Sequence, residues 1–374
     1  MEKIGVVMML GLEGDSPAER FVAGGRAAAA RDALEMAASI PLVDHLIVAT
    51  PDRAWAEQNA DLGFAMDVDA DGEPFHFGRR LAEVCERHSL RRILYLGGGS
   101  LPLLSRDALA EALSQIAEAS EPLAVTNNLH SSDWIALSTV EPLARLPHRL
   151  PKDNSLGWVM HAEAGLKVRG LSPSAGTRMD IDTPFDLLLL SLYPHVADHL
   201  RGYLRAAAPD TTRLRRAIKV LATPGSQAAI IGRVASAAWA HLEAHTLVWL
   251  RVYSEERGMA ASGRQDAGRA RSLIAAHMAQ VGEACFFAEL AEMAEAAFVD
   301  TRVLLAHHRL WPSAAERYAS DLGQWQAIEE PFLRRLTQAA FEASLPIVLG
   351  GHGVVAGGLY AIVDMLEAAK NGGE

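Results

Sequence analysis

The sequence predicts an α/β protein, with a mainly parallel sheet sandwiched by helices over residues 1–195 and a second, mostly helical domain over residues 196–374. Up to about Pro194, short apolar runs alternate with amphipathic segments, which is the pattern of a sheet covered by helices. Beyond that point Ala, Leu, Glu and Arg recur at helical spacing. A chain of 374 residues is also more typical of two hydrophobic cores than of one.

Six apolar runs predict the strands of the first domain. They are Ile4–Leu10, His45–Thr50, Phe64–Val68, Arg92–Leu96, Leu123–Thr126 and Trp134–Leu137. The first run is apolar throughout rather than alternating, as expected of a parallel strand that is buried on both faces. Apolar residues at every third or fourth position predict helices between the runs, at Ala27–Ala38, Phe77–His88 and Asp107–Ala119.

The second domain shows five helical patterns and two short runs with the composition of strands. The helical patterns are Thr212–Leu221, Ala228–Glu243, Ala267–Val281, Ala284–Ala297 and Pro331–Ala343. The strand-like runs are Thr246–Tyr253 and Pro346–Leu349.

Charge and hydropathy exclude two classes of partner. The formal net charge is −11, whereas a nucleic-acid-binding surface needs clustered Lys and Arg. The longest apolar stretch, around Leu187–Tyr193, is too short to span a bilayer, and the apolar run at Met1–Leu10 lacks a signal-peptide cleavage site. We therefore expect a cytoplasmic protein without nucleic-acid or membrane partners.

The sharpest motif is Met179-Asp-Ile-Asp-Thr-Pro-Phe-Asp-Leu187. Along an extended segment Asp180 and Asp182 point to the same side, where two carboxylates repel unless a cation lies between them. The same residues also describe the start of a helix, with Thr183 as the N-cap, Pro184 at the first position and Asp186 at the third.

This segment resembles the D-I-D-T-P-x-D-L segment near the end of the catalytic domain in GT-A-type nucleotidyltransferases, such as the molybdenum-cofactor guanylyltransferases and the 2-phospholactate guanylyltransferases. The resemblance covers residues 1–195 and implies a nucleotide-diphospho-sugar transferase-like fold. It also implies that Asp182, helped by Asp180, holds Mg²⁺ for transfer of a nucleotidyl group.

A second segment, Ile93–Ser105, resembles the family's strand followed by small residues and D-x-P-L-L. Ser100 stands where the family has the metal-binding Asp, and serine is a poor lone ligand for a hard cation. Gly98 and Gly99 precede it and are candidates for contact with the nucleotide. Gly97–Gly99 and Pro102 also describe a tight turn that needs no ligand.

The loop after the first strand is where the family holds the phosphates. The candidates in it are Gly11, Gly14, Arg20, Gly24, Gly25 and Arg26. We expect Gly24 and Gly25 to lie just before a helix N-terminus, which could accept an anion. The loop is more acidic than a phosphate loop should be, because it carries Glu13, Asp15 and Glu19.

Two polar stretches are candidates for contact with the acceptor substrate. They contribute Asn127, Asn128, Asp133, Asp153 and Asn154. In the resembling fold the first stretch faces the acceptor, where such side chains could hydrogen-bond a sugar or a carboxylate. The same residue types are ordinary turn formers and helix caps.

Three clusters in the second domain combine charge with apolar runs or glycine turns. They consist of Glu255, Glu256 and Arg257, then Asp300 and Arg302, then His352 in a glycine-rich loop. Because unpaired charge is costly to bury, we expect at least two of them to converge, on a second ligand site or on a homodimer interface. Singly, each also fits a plainer role, such as a buried Arg–Asp pair.

The leading hypothesis is a nucleotidyltransferase-like enzyme that uses Mg²⁺, a nucleoside triphosphate and a small phosphorylated or carboxylated acceptor. One alternative is a degenerate nucleotide- or nucleotide-sugar-binding domain that serves a C-terminal assembly domain. Another is a glycosyltransferase, since a fold does not fix a reaction.

Overall fold

A computed structural model describes residues 3–11, 14–69 and 74–371, which fall into two compact units. The first unit lies within residues 1–12, 23–180 and 197–200, and the second within 13–22, 181–196 and 201–374. The boundary predicted at residue 195 therefore differs from the observed division. The chain joins the second unit at Ile181 because the buried helix Pro184–Leu190 packs there, with Phe185 against Gly350 and Gly358.

The first unit contains a seven-stranded sheet. Its strands are Ile4–Met9 (β1), Val43–Thr50 (β2), Ala65–Val68 (β3), Ile93–Gly97 (β4), Leu123–Thr126 (β5), Trp134–Leu137 (β6) and Lys167–Gly170 (β7). They lie in the order β3-β2-β1-β4-β6-β5-β7, and only β6 runs antiparallel to its neighbours among the described pairs. The prediction of a mainly parallel sheet is confirmed.

Helices cover both faces of this sheet. Their bounds are Pro17–Ala38 (α1), Arg53–Gln58 (α2), Phe77–Arg87 (α3), Arg106–Glu118 (α4), Glu141–Arg145 (α5), Leu156–Ala162 (α6) and Ala175–Arg178 (α7). Short 3₁₀ turns occur at Ala60–Leu62, Pro147–Arg149 and Asp153–Ser155. Alternate residues of β1 enter two separate cores, since Val6 and Met8 pack on one face and Val7 on the other.

Strand order sets the place where this sheet can bind a ligand. From β1 the sheet continues to β2 and β3 on one side and to β4 on the other. The two neighbours of β1 thus lead in opposite directions, and open α/β sheets bind ligands at such a switch point, outside the carboxyl ends of the strands.

The second unit is mostly helical by residue count, and its helices surround a four-stranded parallel sheet. The strands are Gln227–Gly232 (β8), Trp249–Ser254 (β9), Ala296–Asp300 (β10) and Ile347–Gly350 (β11), in the order β11-β10-β8-β9. A switch point lies between β8 and β10, because β9 flanks β8 on its other side.

Ten helices are described from Pro184 onwards. They are Pro184–Leu190 (α8), Asp198–Ala207 (α9), Thr212–Leu221 (α10), Ser236–His245 (α11), Leu273–Val281 (α12), Glu283–Met293 (α13), Thr301–His307 (α14), Ala314–Asp321 (α15), Pro331–Glu342 (α16) and Gly357–Asn371 (α17). Short 3₁₀ turns occur at Trp325–Ala327 and His352–Val355. Among the described helices, none has the length and hydrophobicity that crossing a bilayer requires.

The helix predicted at Ala228–Glu243 is wrong over its first part, where β8 lies. Gln227-Ala-Ala-Ile-Ile-Gly232 contains two alanines, which favour a helix locally. In the folded chain this segment is the buried strand between β9 and β10, and the packing on both sides overrides the local preference.

Candidate functional site

The first unit brings two predicted glycine loops to the same sheet edge. Met9 and Gly97 pair in register at the carboxyl ends of β1 and β4, so the loops that begin at Gly11 and Gly98 start side by side. A Cβ on Gly98 would lie 2.4 Å from Leu10 Cδ1 and 3.4 Å from the Met9 carbonyl oxygen, so a larger residue here would have to displace the buried Leu10 side chain. Gly11 is exposed and its Cβ position is open.

Ser100 is buried in the turn that follows β4. Its hydroxyl donates a hydrogen bond of 2.7 Å to the Gly97 carbonyl, and its amide donates one of 3.0 Å to the same oxygen. The side chain thus stabilises the turn that carries Gly98 and Gly99, and its proton is engaged within that turn.

The acceptor candidates form a hydrogen-bonded network at this edge. Asn127 donates to Asp133 Oδ2 at 2.6 Å and accepts from the Asp133 amide at 3.1 Å, which ties the end of β5 to the start of β6. Tyr95, on β4, donates to Asp153 Oδ2 at 3.1 Å. A Cβ on Gly97 would lie 3.3 Å from the Asp133 carbonyl oxygen and 4.0 Å from Asp153 Oδ2, so both acids border the turn after β4.

Asn128 and Asn154 belong to the same group of loops, and their side chains make hydrogen bonds within those loops. Asn128 Oδ1 accepts from the His130 amide at 3.2 Å, whereas Asn154 donates to Ser131 Oγ at 3.1 Å.

Burial is the main cause that raises the pKa of Tyr95, and the charge of Asp153 adds to it. Tyr95 is thus a neutral hydrogen-bond donor at physiological pH.

The predicted phosphate loop differs from expectation, because its helix starts earlier. Leu12 and Glu13 lie outside the described residues. Ser16 and Glu19 exchange hydrogen bonds of 3.1 Å in a capping pair, and α1 begins at Pro17. Gly24, Gly25 and Arg26 therefore lie inside α1, where the amide groups are used by the helix, and the expected anion site before a helix at this point is wrong.

The other two candidates of that loop belong to the second unit. Gly14 has a φ of 131°, and Arg20 donates to the carbonyl oxygen of Asp15. Arg20 thereby closes the turn that leads into α1.

The motif around Asp182 forms the helix start that its residues predict. Thr183 is the N-cap of α8, and Asp186 Oδ2 accepts hydrogen bonds from the Asp182 amide and from the amide and hydroxyl of Thr183. Asp186 is fully buried, and its Oδ1 has no hydrogen-bond partner in the described part of the chain. Burial, followed by the charge of Asp182, raises the pKa of Asp186 to about 7.

Asp180 and Asp182 fall in different units, Asp180 in the first and the exposed Asp182 in the second. Within the described residues, one group of three potential metal ligands lies within 4.8 Å, namely Asp32, Glu35 and His199. The two carboxylate oxygens of Asp32 accept hydrogen bonds from the amides of His199 and Leu200, so Asp32 stabilises the start of α9. A magnesium role for Asp180 and Asp182 stays a prediction.

The second unit gathers charged residues at the carboxyl edge of its sheet. Asp300 ends β10 and is fully buried, and it accepts from Arg233 Nε at 2.5 Å and Nη2 at 3.1 Å. Gly232, with a φ of 127°, makes room for this pair, since a Cβ there would lie 2.5 Å from Asp300 Cβ. Burial opposes the charge of Asp300, but Arg233 outweighs it and lowers the pKa of the carboxyl.

His352 follows β11 and lies near this ion pair. Its ring keeps access to solvent but is densely surrounded by protein, and this desolvation, followed by the charge of Arg233, lowers its pKa to about 4. Asp300 opposes the shift, whereas Arg257 adds to it. The structure thus brings members of all three sequence clusters of this unit to one sheet edge.

The remaining members of these clusters are engaged in ion pairs and hydrogen bonds within the unit. Arg302 is buried and makes a two-pronged pair with Asp321, at 2.8 and 2.6 Å. Glu255 accepts from the Ser272 hydroxyl and the Ile274 amide at the start of α12. Glu256 accepts from Arg264 Nε at 2.5 Å, and this bond is the main cause that lowers its pKa.

Sequence reasoning missed Arg233 and Tyr95. Arg233 follows a strand that was assigned to a helix, so its place at a strand end was hidden. Tyr95 lies inside a correctly predicted strand, and a tyrosine in an apolar run was a usable signal because a buried phenol needs a partner.

The second unit also holds a cavity of about 310 Å³, away from the predicted site residues. Its cationic side chains are Arg201, Arg205 and Arg215, and its apolar wall includes Leu190 and Leu204. None of the residues predicted for a site lines it.

No protein-family model and no curated protein matches the chain. Among solved structures, a cytidylyltransferase from Leptospira borgpetersenii serovar Hardjo-bovis is similar at 14% identity and a TM-score of 0.41, over 56% of this chain and 94% of its own. A nucleotidyl transferase from Methanothermobacter thermautotroptrophicus is similar at 16% identity and a TM-score of 0.38, over 54% of this chain and 99% of its own. A 4-diphosphocytidyl-2C-methyl-D-erythritol synthase from Anaerococcus prevotii is similar at 8% identity and a TM-score of 0.34, over 55% of this chain and 96% of its own.

Proposed function

We propose that the first unit binds a nucleoside triphosphate and transfers its nucleotidyl group to a small phosphorylated or carboxylated acceptor. The observation that carries the proposal is the meeting of two glycine-bearing loops at the switch point between β1 and β4. The open Cβ position of Gly11 lets a phosphate chain approach the backbone closely there. The resemblance of the Asp182 and Ser100 segments to nucleotidyltransferases points to the reaction.

The polar network beside this switch point supplies the groups that an acceptor needs. Asn127 and Asp133 are locked together, and Tyr95 fixes Asp153, so these side chains are held in place before a ligand arrives. An acceptor oxygen would attack the α-phosphorus, the bond to the bridging oxygen would break, and pyrophosphate would leave. Catalysis of this kind depends mainly on positioning and on neutralising charge.

Mg²⁺ fits the chemistry of the residues at this edge. The Asp153 carboxylate and the Asp133 backbone carbonyl oxygen border the turn after β4, and hard oxygen donors are the ligands that Mg²⁺ prefers. Helix α7 packs against the same loop, because a Cβ on Gly176 would lie 3.0 Å from the Leu103 carbonyl oxygen. Asp180 follows this helix by two residues. When bound, the ion would neutralise charge on the phosphates.

Nucleotide binding without turnover is the second candidate. Two observations favour it: the Ser100 hydroxyl is engaged with Gly97, and the interior position of Arg26 in α1 differs from the family's phosphate loop. A glycosyltransferase would instead release a nucleoside diphosphate from a nucleotide-sugar.

The first prediction is that the protein binds one nucleoside triphosphate with Mg²⁺ and releases pyrophosphate when a suitable acceptor is added. Calorimetry with the common triphosphates and nucleotide-sugars, with Mg²⁺ or EDTA, measures binding, and a pyrophosphate assay measures turnover. Asp133→Asn should lower kcat/KM at least about tenfold, because it loosens the pair with Asn127.

Asp107→Asn is the matched control, since that carboxylate is on the same unit and its side chain is 96% exposed. Binding without release of pyrophosphate would support the second candidate. Absence of any nucleotide binding, or equal effects of both variants, would overturn the proposal.

A further inference from the structure

The carboxyl edge of the second sheet is a separate place to look for a ligand. Parallel strands β8, β9, β10 and β11 all end there, and the switch point lies between β8 and β10. Arg233 follows β8, Arg257 follows β9 by three residues, and His352 follows β11 by two. Loops from three strands therefore bring cationic or imidazole groups to this edge.

We propose that this edge is a binding site for a phosphate group carried by a small molecule, held between the guanidinium groups of Arg233 and Arg257 and the imidazole of His352. This site belongs to the second unit and does not depend on the nucleotidyl transfer proposed for the first.

Arg233 is held in place with part of its guanidinium unused. Asp300 accepts from Nε and Nη2 and so fixes the plane of the group. Five N–H bonds are available on a guanidinium, and this pair uses two of them. In the described part of the chain Nη1 has no acceptor, and the side chain is 20% exposed. The fixed group can therefore donate to a second anion on its outer side.

Arg257 adds positive charge that no acid offsets by contact. It is exposed and has no hydrogen-bond or ion-pair partner among the described residues. It is close enough to His352 to lower the pKa of that ring. Of the buried acids near this edge, Asp300 and Asp321 are each already paired with an arginine. Asp186, whose Oδ1 would lie 2.3 Å from a Cβ on Gly353, has its pKa raised to about 7 by burial and by the charge of Asp182.

His352 supplies a neutral donor or acceptor at the same sheet edge as the two arginines. Neither ring nitrogen has a hydrogen-bond partner in the part of the chain that the structure describes. The exposed acid nearby is Asp182, which acts on the ring more weakly than either arginine. A tetrahedral dianion fits two guanidinium groups and an imidazole better than a planar monoanion does, because it presents three charged oxygens.

Titration with inorganic phosphate, followed through histidine ring signals by NMR, tests the proposal. His352→Gln identifies the signal of His352. We expect phosphate to shift this signal saturably over the millimolar range and to raise the pKa of the ring. Arg257→Gln should weaken binding at least about tenfold without lowering Tm, because its side chain is exposed and unpaired.

Arg216→Gln is the matched control, an exposed arginine on helix α10 of the same unit, and should change the Kd less than about twofold. Asp133→Asn should leave phosphate binding at His352 unchanged, which separates this site from that of the first unit. Acetate should bind at least about tenfold more weakly than phosphate. A His352 signal that phosphate does not move, an Arg257→Gln protein that binds as tightly as the parent, or equal binding of acetate would each overturn the proposal.

Discussion

The carboxyl edges of the two sheets show two ways of holding polar groups at a strand end. In the first unit a neutral phenol and amide fix two acids, as in the pairs Tyr95–Asp153 and Asn127–Asp133. At the edge of the second sheet the buried acids Asp300 and Asp321 are paired with arginines, as in Arg233–Asp300 and Arg302–Asp321. Leaving a buried charge without its partner costs more free energy of unfolding than leaving a neutral group without one. The second edge should therefore tolerate substitution far less than the first.

The largest effect should come from breaking the buried pair of the second unit. From sequence Arg302 belongs to a cluster expected at a second ligand site or a homodimer interface, but its side chain is only 6% exposed and that of Asp321 is fully buried. Arg302→Ala leaves Asp321 unpaired and should lower the free energy of unfolding by about 3–5 kcal/mol. Urea unfolding measures this. The double variant Arg302→Met with Asp321→Leu should recover most of the lost stability. An Arg302→Ala protein as stable as the parent would contradict the expectation that the second edge tolerates substitution less than the first.

The pH dependence of stability should sharpen the comparison within the second unit itself. Asp186 has a pKa raised from 3.8 to about 7, so the native state keeps a proton that the unfolded state loses, and stability falls as pH rises from 4 to 7. His352 has a pKa lowered from 6.5 to about 4, so the unfolded state binds the extra proton and stability rises with pH over 4 to 6.5. The two slopes oppose each other in the parent protein.

Asp186→Asn should therefore make stability rise more steeply with pH than in the parent, and His352→Gln should make it fall more steeply, each by up to about 1.4 kcal/mol per pH unit. Chemical unfolding between pH 4 and 7 measures both. Asp107→Asn, which removes a fully solvated carboxylate, should leave the slope unchanged. Slopes that move in the same direction in both variants would show that one of these two pKa shifts has the wrong sign.

How much of the fold could be predicted differs between the units for the same physical reason. In the first unit Leu123–Thr126 and Trp134–Leu137 were predicted with their observed bounds, because each is a short apolar run next to turn residues. Strand β7 was missed, since Lys167 and Arg169 are exposed at the sheet edge and leave no apolar run. In the second unit β8 was hidden by its alanines, so its parallel sheet could not be assembled from sequence.

The candidate sites follow the same logic. Residues next to recognisable strands, such as Gly98 after β4 and Asp133 before β6, lie at the sheet edge where sequence expected a site. Arg233 could not be found because the strand before it was not recognised. Gly24 and Gly25 were misplaced because the Ser16–Glu19 pair starts α1 at Pro17, ten residues before the predicted start at Ala27.

The smallest effect should come from two glycines of the first edge, which sequence treated alike. A Cβ on Gly98 would lie 2.4 Å from Leu10 Cδ1, so Gly98→Ala must displace the buried Leu10 side chain and should cost about 1–3 kcal/mol of unfolding free energy. Gly11 has open space around its Cβ position and no positive φ, so Gly11→Ala should change stability by less than about 0.5 kcal/mol. Thermal unfolding of the pair measures the difference. Because Gly11 borders the proposed phosphate path, Gly11→Ala should weaken triphosphate binding. A Gly11→Ala protein that is destabilised as much as Gly98→Ala would show that the two loops do not meet as the strand register requires.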